Sequence, residues 1–412
     1  VTPPRTALVI GAGIAGPTVA MALQKVGIEP TVYETHPHDT DGLGVFLTLG
    51  SNGVHALRVL DADEPVLALG FPTPGITLRN HRGRRLGSTR TGVPLQDGTT
   101  SQTVRRADLY RVLHETAAAR GVAFEYGRRL VAAHDTGDGV RAEFADGSEA
   151  ASDLLVGCDG IHSTVRTIID PAAPAPTYAR LVGTGGYARG VAVDVEPGSY
   201  EMVFGRRAFF GYAREPGGEV WWFANLPRPK EPGRGELEAI TESRWREQLE
   251  SAFAGDHGPL LPLIRATPRL LGTGPIHAVP HLPTWHRGRM VVVGDAAHAP
   301  SPTSGQGASL AVEDAVVLAR CLRDVPDPAA ALREFVRARR PRVERIIAQA
   351  ARINNAKAPG PVGRVVRDAM LPLVLRLTAD SKAARETYGY RVDWGAPVTA
   401  PGSASAGLGG GS

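Results

Sequence analysis

Gly11-Ala12-Gly13-Ile14-Ala15-Gly16 has the G-x-G-x-x-G spacing of a turn that meets a phosphate with its backbone. The glycines permit a tight turn and close approach. A helix starting there adds unpaired N–H groups and a partial positive charge. Glu34 lies 18 residues beyond Gly16. A carboxylate at that point accepts both hydroxyls of an adenosine ribose and repels a 2′-phosphate. The pattern therefore suits FAD or NAD and disfavours NADP. A mere tight turn is the competing reading of the glycines, and Glu34 weighs against it.

Two further stretches end apolar runs in Asp and Gly. Asp153-Leu-Leu-Val-Gly-Cys158 runs into Asp159-Gly160, which by itself is any strand-to-helix turn. Met290-Val-Val-Val runs into Gly294-Asp295-Ala-Ala-His298, then Pro302 and Gly305-Gln306-Gly307-Ala308. The last four open a helical pattern. A helix N-terminus pointed at a flavin ring would stabilise negative charge on it when reduced.

The elements that must position these residues follow from periodicity. Residues 6–10 form a buried strand, 13–26 a helix and 30–34 a second strand, which is a βαβ opening. A helix spans 106–120. Short strands follow at 122–126, 130–134, 140–144 and 153–158. The stretch 180–226 alternates β-branched and aromatic residues with turns and reads as several antiparallel strands. Met290–Val293 is a buried strand, and helices follow over 305–322, 328–355 and 362–378. The strands near 8, 155 and 291 are expected to converge on one ligand.

Those three elements, in this order, resemble the class A flavoprotein monooxygenases of the p-hydroxybenzoate hydroxylase and salicylate hydroxylase type, over roughly residues 5 to 394. Leu47-Thr48-Leu49 with Asn52-Gly53, Arg106 with Asp108-Leu109, Trp221-Trp222-Phe223 and Tyr388-Gly389-Tyr390 add to the match. Ser304, Ser309 and Cys158 depart from the usual Gly, Asn and Ala. The resemblance implies an α/β fold: a Rossmann-like FAD-binding domain of the glutathione-reductase type, an antiparallel β-sheet substrate domain and C-terminal helices. It puts the FAD domain at 1–70, 101–175 and 281–360, and the sheet domain at 71–100 and 176–280. A helical segment follows at 361–394 and a disordered tail at 395–412.

The resemblance also implies the roles. Gly11, Gly13, Ile14, Ala15 and Gly16 hold the FAD pyrophosphate and Glu34 its ribose. Gly44, Arg106 and the backbone near Leu130 contact the cofactor. Asp159 and Gly160 belong to a motif implicated in FAD and NAD(P)H binding. Gly294 and Asp295 serve the ribityl and pyrophosphate region, while Pro302 and Gly305, Gln306, Gly307 and Ala308 lie beside the isoalloxazine. The implied reaction is hydroxylation of an aromatic or polyketide-like molecule through a C4a-hydroperoxyflavin, with NADPH or NADH as transient reductant and O2 as co-substrate. The flavin carries that chemistry, so no protein residue is named as catalytic. Phe46, Phe204, Phe210, Tyr212 and Trp222 are candidates for the substrate pocket. A same-fold epoxidase, Baeyer–Villiger oxygenase, flavin reductase or non-catalytic flavin-binding scaffold stays open. A halogenase is disfavoured, because Trp221-Trp222 lacks Trp-x-Trp-x-Ile-Pro spacing.

Composition excludes other classes. The 412 residues carry a net charge of +4, with acids mixed among the bases. The densest cluster, Arg337, Arg339, Arg340, Arg342 and Arg345, reads as a solvated helix face, and no basic stripe with aromatics points to nucleic acid. An arginine-rich composition is compatible with a secondary-metabolite tailoring enzyme. Two cysteines without a CxxC fit a reducing cytoplasm. No run of 18 apolar residues predicts a membrane span. His277, His281 and His286 lack a completing ligand, so no metal is expected. Gly307-Ala308-Ser309-Leu310-Ala311 lacks the strand a nucleophile elbow needs. A monomer or homodimer is expected.

Overall fold

A computed structural model of the protein describes residues 3–37, 44–300, 305–355, 361–378 and 386–398. The cofactor-side sheet has six strands: β1 (Thr6–Ile10), β2 (Glu29–Glu34), β8 (Ala123–Tyr126), β12 (Leu154–Gly157), β18 (His286–Arg287) and β19 (Met290–Val292). Their order is β18-β19-β12-β1-β2-β8. β1 pairs in parallel with both β12 and β2, and β12 with β19. The three apolar runs that precede the Gly-rich turns are therefore neighbours in one sheet. Their near-continuous hydrophobicity is that of parallel strands buried on both faces; Leu154, Leu155 and Val156 are fully buried.

Among the described residues the helices that accompany the sheets include α1 (Ala15–Gln24), α2 (Ser51–Val59), α3 (Glu64–Leu67), α4 (Arg106–Ala119), α5 (Thr164–Ile169), α6 (Glu242–Phe253), α7 (Leu260–Ala266), α8 (Gly307–Asp324), α9 (Pro328–Asn355) and α10 (Pro361–Thr378). Two small sheets join β3 (Phe46–Leu49), β7 (Gln102–Arg105) and β4 (Phe71–Pro72), and β9 (Leu130–Asp135), β10 (Val140–Phe144) and β11 (Glu149–Ser152).

The second large sheet is assembled from two distant segments. β5 (Gly75–Asn80) and β6 (Arg85–Arg90) join β13 (Thr177–Ala188), β14 (Tyr200–Phe204), β15 (Phe209–Arg214), β16 (Val220–Pro227) and β17 (Leu271–Ala278), in the order β17-β13-β16-β15-β14-β5-β6. Every pair in it is antiparallel except β14 with β5. Helices α6 and α7 lie past the 180–226 stretch read as strands, within the 176–280 segment given to the sheet domain, where no helix was expected. They cover one face, burying Leu249, Phe253, Leu260, Leu263 and Ile264 against it. The apolar period of α6 is 3.6 (Trp245, Leu249, Phe253), a signal present in the sequence but passed over.

The expected tail also starts too early. Gly395 and Ala396 donate to Asp393, and Val398 donates to Asp324 at 2.9 Å. The remainder of that tail, 399–412, lies outside the described residues. No described helix is long and apolar enough to cross a membrane.

Candidate active site

The first Gly-rich turn is built by steric exclusion. Gly11 has φ +102°, and a Cβ there would stand 2.6 Å from the Cys158 carbonyl oxygen. A Cβ on Gly16 would stand 1.9 Å from the Gly11 oxygen. Only glycine lets α1 start this close to β1. Ile14 is the N-cap and Ala15 the first helical residue, with no side chain capping the end. The free N–H groups are thus left for a ligand. Gly13 meets only the Tyr110 ring, at an ordinary 3.5 Å.

Glu34 ends β2 beside this turn. Its Oε2 accepts from Ala12 N at 2.7 Å and its Oε1 from His36 N at 3.0 Å. Each carboxylate oxygen has a further lone pair, which leaves capacity for the two ribose hydroxyls. Leu130 is buried in the core, so any contact there would come from its backbone.

Arg106 opens α4. Its NH2 donates to Tyr110 Oη at 3.0 Å, and its Nε is buried with no partner. A buried unpaired donor of this kind is costly and marks a place where an acceptor fits. Gly44 makes the approach possible: at φ +77°, a Cβ there would press on Arg106 Cδ at 2.9 Å.

Asp295 sits in a short 3-10 turn, Gly294–Ala296, directly after β19. It is solvent-accessible yet surrounded by protein. This partial desolvation raises its pKa; nearby His298 and Arg106 oppose the rise. Gly294 takes φ +55° and donates its N–H to Asp314 Oδ2 at 2.9 Å.

A buried ionic network holds that turn, and the sequence reading missed it. Arg339 is 0% exposed, not part of a solvated face, and pairs with Glu313 and Asp314, each at 2.7 Å. Arg342 bonds Glu313 at 2.8 Å, and His298 Nε2 lies 2.5 Å from Asp314. Burial alone would push both carboxyls up, but the guanidiniums and His298 hold Glu313 low and Asp314 at about 2. The helical period hides this role, because Arg339 and Arg342 share with Arg337 and Arg345 a composition typical of solvent-facing helix. His298 is thus a hydrogen-bonding member of that network.

The opening of α8 is tied to α2 through the same network. Asn52 Nδ2 donates to Gln306 Oε1 at 2.9 Å and to Glu313 Oε1 at 2.7 Å. Gln306 is therefore turned inward, and only backbone from it faces outward. Ser309 accepts from Gly50 N at 2.9 Å, and a Cβ on Gly53 would meet Ser309 Oγ at 2.8 Å. A larger residue at 309 would displace α2, which accounts for the departure there. Gly305 (φ +58°) meets nothing within 4 Å, and Gly307 and Ala308 start the helix. Pro302 and Ser304 lie outside the described residues.

Asp159 is engaged locally. It accepts from Ser163 Oγ at 2.5 Å, Thr164 N at 2.7 Å and Val165 N at 3.0 Å, capping α5. Burial raises its pKa against those bonds. Gly160 (φ +74°) faces open space. Burial pushes the Cys158 thiol well up, so it is inert as a nucleophile.

The Gly11 turn, Glu34, Arg106 and Asp295 are brought together: Ala12 donates to Glu34, the Tyr110 ring links Gly13 to Arg106, and Arg106 acts electrostatically on Asp295; the unpaired Arg106 Nε and the uncapped α1 fit a dinucleotide. A family model for an FAD binding domain matches residues 5–350. The chain belongs to the class A FAD-dependent monooxygenases. This monooxygenase is 33% identical over 353 residues to the aurachin C monooxygenase/isomerase of Stigmatella aurantiaca, covering 84% of this chain and 88% of that one. It is 32% identical over 352 residues to an FAD-dependent urate hydroxylase of Klebsiella pneumoniae, with the same coverage. The solved Klebsiella pneumoniae HpxO in complex with FAD and uric acid matches with a TM-score of 0.78 at 26% identity, covering 91% of this chain and 96% of that one. A salicylate hydroxylase substrate complex shares the fold, with a TM-score of 0.72 at 22% identity, over 93% and 97% of the two chains.

In this monooxygenase bound FAD supplies the oxygen chemistry, with a reduced nicotinamide and O2 as co-substrates, as is typical of the family. The protein contributes position, donors for anionic charge and exclusion of water.

Register decides which aromatics face the cofactor side. Tyr212 pairs with Trp222 and Phe210 with Ala224, so these side chains share a face. That face packs under α6 and α7: Phe210 stacks on Trp222 at 5.0 Å and meets Phe253 at 5.2 Å. The expectation that Phe210, Tyr212 and Trp222 line the substrate pocket is thereby corrected, since all three are sealed in the rear core. Phe204 lies on the front face, buried with Leu78, Leu86 and Phe209. Phe46 lies on the front as well, 5.9 Å from Phe223, 6.0 Å from Trp221 and 5.8 Å from Tyr200. The Gly44–Phe46 segment is tied to this face, because Tyr187 Oη donates to Val45 O at 2.6 Å. Phe46, Met202 and Phe223 remain only half-buried. Met202 and Phe223 were not anticipated; the alternation carried their pairing but not which face meets the groove.

The loosely spaced histidines find acids instead of one another: His277 bonds Glu231 and His281 bonds Glu344, each at 2.8 Å.

Proposed function

We propose that the protein hydroxylates an uncharged aromatic ring held between the cofactor groove and the front face of the seven-stranded sheet. The observation that carries the reading is the half-buried wall of Phe46, Met202 and Phe223 beside the Arg106 segment. Rings pack against such a wall edge-on or offset. Tyr200 and Tyr187 border it, and burial pushes their pKa values up, that of Tyr187 to about 12; Arg105 lies over the Tyr187 and Trp221 rings but is paired with Glu219. Both tyrosines stay neutral near pH 7, Arg105 is neutralised by Glu219, and Arg106 is assigned to FAD, so no free counter-charge is left for a carboxylate. The relatives' names speak of urate, aurachin C and 3-amino-4-hydroxybenzoate, all aromatic. Glu34, Gly13 and Asp295 are assigned to FAD, and NADH or NADPH approaches transiently, since one dinucleotide fingerprint serves the whole chain. The reading places the enzyme in the cytoplasm, in keeping with two buried, unbridged cysteines.

The test is substrate-stimulated NADH and NADPH oxidation by the FAD-loaded protein, with ¹⁸O₂ incorporation into product. Uncharged bicyclic or phenolic rings are expected to stimulate and acquire one labelled oxygen. Stimulation confined to ring carboxylates, or turnover without label, would defeat the proposal.

A further inference from the structure

Helix α10 has two faces of opposite character. Arg367, Leu371 and Leu375, four residues apart, form the inner face. Leu371 and Leu375 pack on the cluster of Leu78, Leu86, Phe204 and Phe209. The Arg367 guanidinium lies 4.6 Å above the Phe204 ring, and Asp368 accepts from Asn80 at 2.8 Å. The helix is thus anchored to the front of the sheet. The outer face carries Val365, Val366, Met370, Leu373 and Val374, exposed by 70%, 55%, 52%, 53% and 44%. Five of the seven exposed large apolar side chains among the described residues are on this one stripe. Single exposed apolar residues are ordinary, but a continuous stripe calls for a partner or a different solvent.

The rim of the stripe is cationic. Arg364, in the first turns of the helix, donates to the Arg206 carbonyl and, with Arg206 and Arg207, lines a hollow of about 310 Å³ that also touches Ser251 and Gly255. This hollow is remote from the Gly-rich turns. The β5–β6 hairpin, which packs on α10, exposes Arg82, Arg84, Arg85 and Arg90. The nearby acids are committed elsewhere: Asp368 to Asn80 and Arg367, Asp256 to the Arg206 backbone.

We infer that α10 and its arginine rim dock on an anionic lipid bilayer. The apolar stripe enters the acyl boundary, and the guanidiniums of Arg206, Arg207 and Arg364 meet lipid phosphates. A basic rim around an apolar helix face is complementary to that surface. A second copy of the chain fits worse, because a two-fold contact would set the arginine rims against each other. The inner face of α10 touches the front-face aromatics, so docking places that wall next to the bilayer, a short path for an apolar substrate. The inference rests on α10 and its rim, and it stands whether or not the aromatic-ring reading holds.

The experiment is flotation of the full, FAD-loaded chain with vesicles of phosphatidylcholine alone or mixed with phosphatidylglycerol. Binding is expected only with phosphatidylglycerol and should weaken as salt rises. Val366→Glu with Leu373→Glu should lower binding at least tenfold, and each of Arg206→Gln and Arg207→Gln about fivefold. Both sets of variants should keep parental flavin content, which separates lost docking from lost fold. Absence of flotation with phosphatidylglycerol vesicles, or equal binding to both compositions, overturns the inference. A dimer that Leu373→Glu dissociates, with no vesicle binding by the parent, overturns it too and assigns the stripe to a second copy.

Discussion

The two large sheets of this monooxygenase place their functional groups by different means. On the parallel sheet the site is made of backbone: Gly11, Gly16 and Gly294 adopt positions that a Cβ would block or strain, and Asp295 follows directly from its strand. On the seven-stranded sheet the wall is made of side chains, and register decides which of them face the groove. Phe223 and Trp222 are neighbours in sequence, yet one packs beside Phe46 on the front face and the other fills the rear core. Steric rules that act over six residues can be read from a sequence; facing rules that depend on what covers a sheet cannot.

The sharpest way to break this contrast is Gly16→Val. Its Cβ has no room beside the Gly11 oxygen, so a loss above ~4 kcal/mol is expected, with no flavin retained on purification. Flavin absorbance per protein reads the outcome, and a stable yellow variant would refute the steric account.

Arg339→Met tests the network between the regions. It leaves Glu313 and Asp314 buried with a missing counter-charge, and ~3–5 kcal/mol of stability should be lost at pH 7 in denaturant unfolding. The folded pKa of Asp314, about 2, is below its unfolded value. Its stabilisation is therefore complete above the unfolded value and is lost as pH falls from about 4 towards 2. The deficit of the variant should accordingly shrink over that window. A deficit that stays constant to pH 2 would show that the pairing contributes nothing.

Paired truncations sharpen the register argument. Trp222→Ala should cost ~3–5 kcal/mol through a cavity in the rear core, with KM near parental. Phe223→Ala should cost less stability and raise KM several-fold. The reverse pattern would place the substrate on the other face. The smallest expected effect is Tyr187→Phe, which removes the donor to Val45 O. It should cost ~1 kcal/mol and raise the fraction of nicotinamide oxidised without product.

The βαβ opening and the neighbouring placement of the strands near 8, 155 and 291 were legible because each depends on local chemistry. Glu34 needed only the strand before it. The inward turn of Gln306 was not legible, since its partner Asn52 is far away in the chain. Nor was the burial of Arg339: four flanking arginines argue for solvent, and only the packing of α9 on α8 brings two carboxylates to it. Helices α6 and α7 had a readable period, but β-rich surroundings masked it.

By itself the sequence determined the fold class, the family and the cofactor, because glycine spacing, strand hydrophobicity and a terminal carboxylate act over a few residues. Only the tertiary structure decided which aromatics face the groove, which arginines are buried and which face of α10 is left uncovered. Those outcomes depend on contacts between segments far apart in the chain, where one residue of register exchanges a core for a surface.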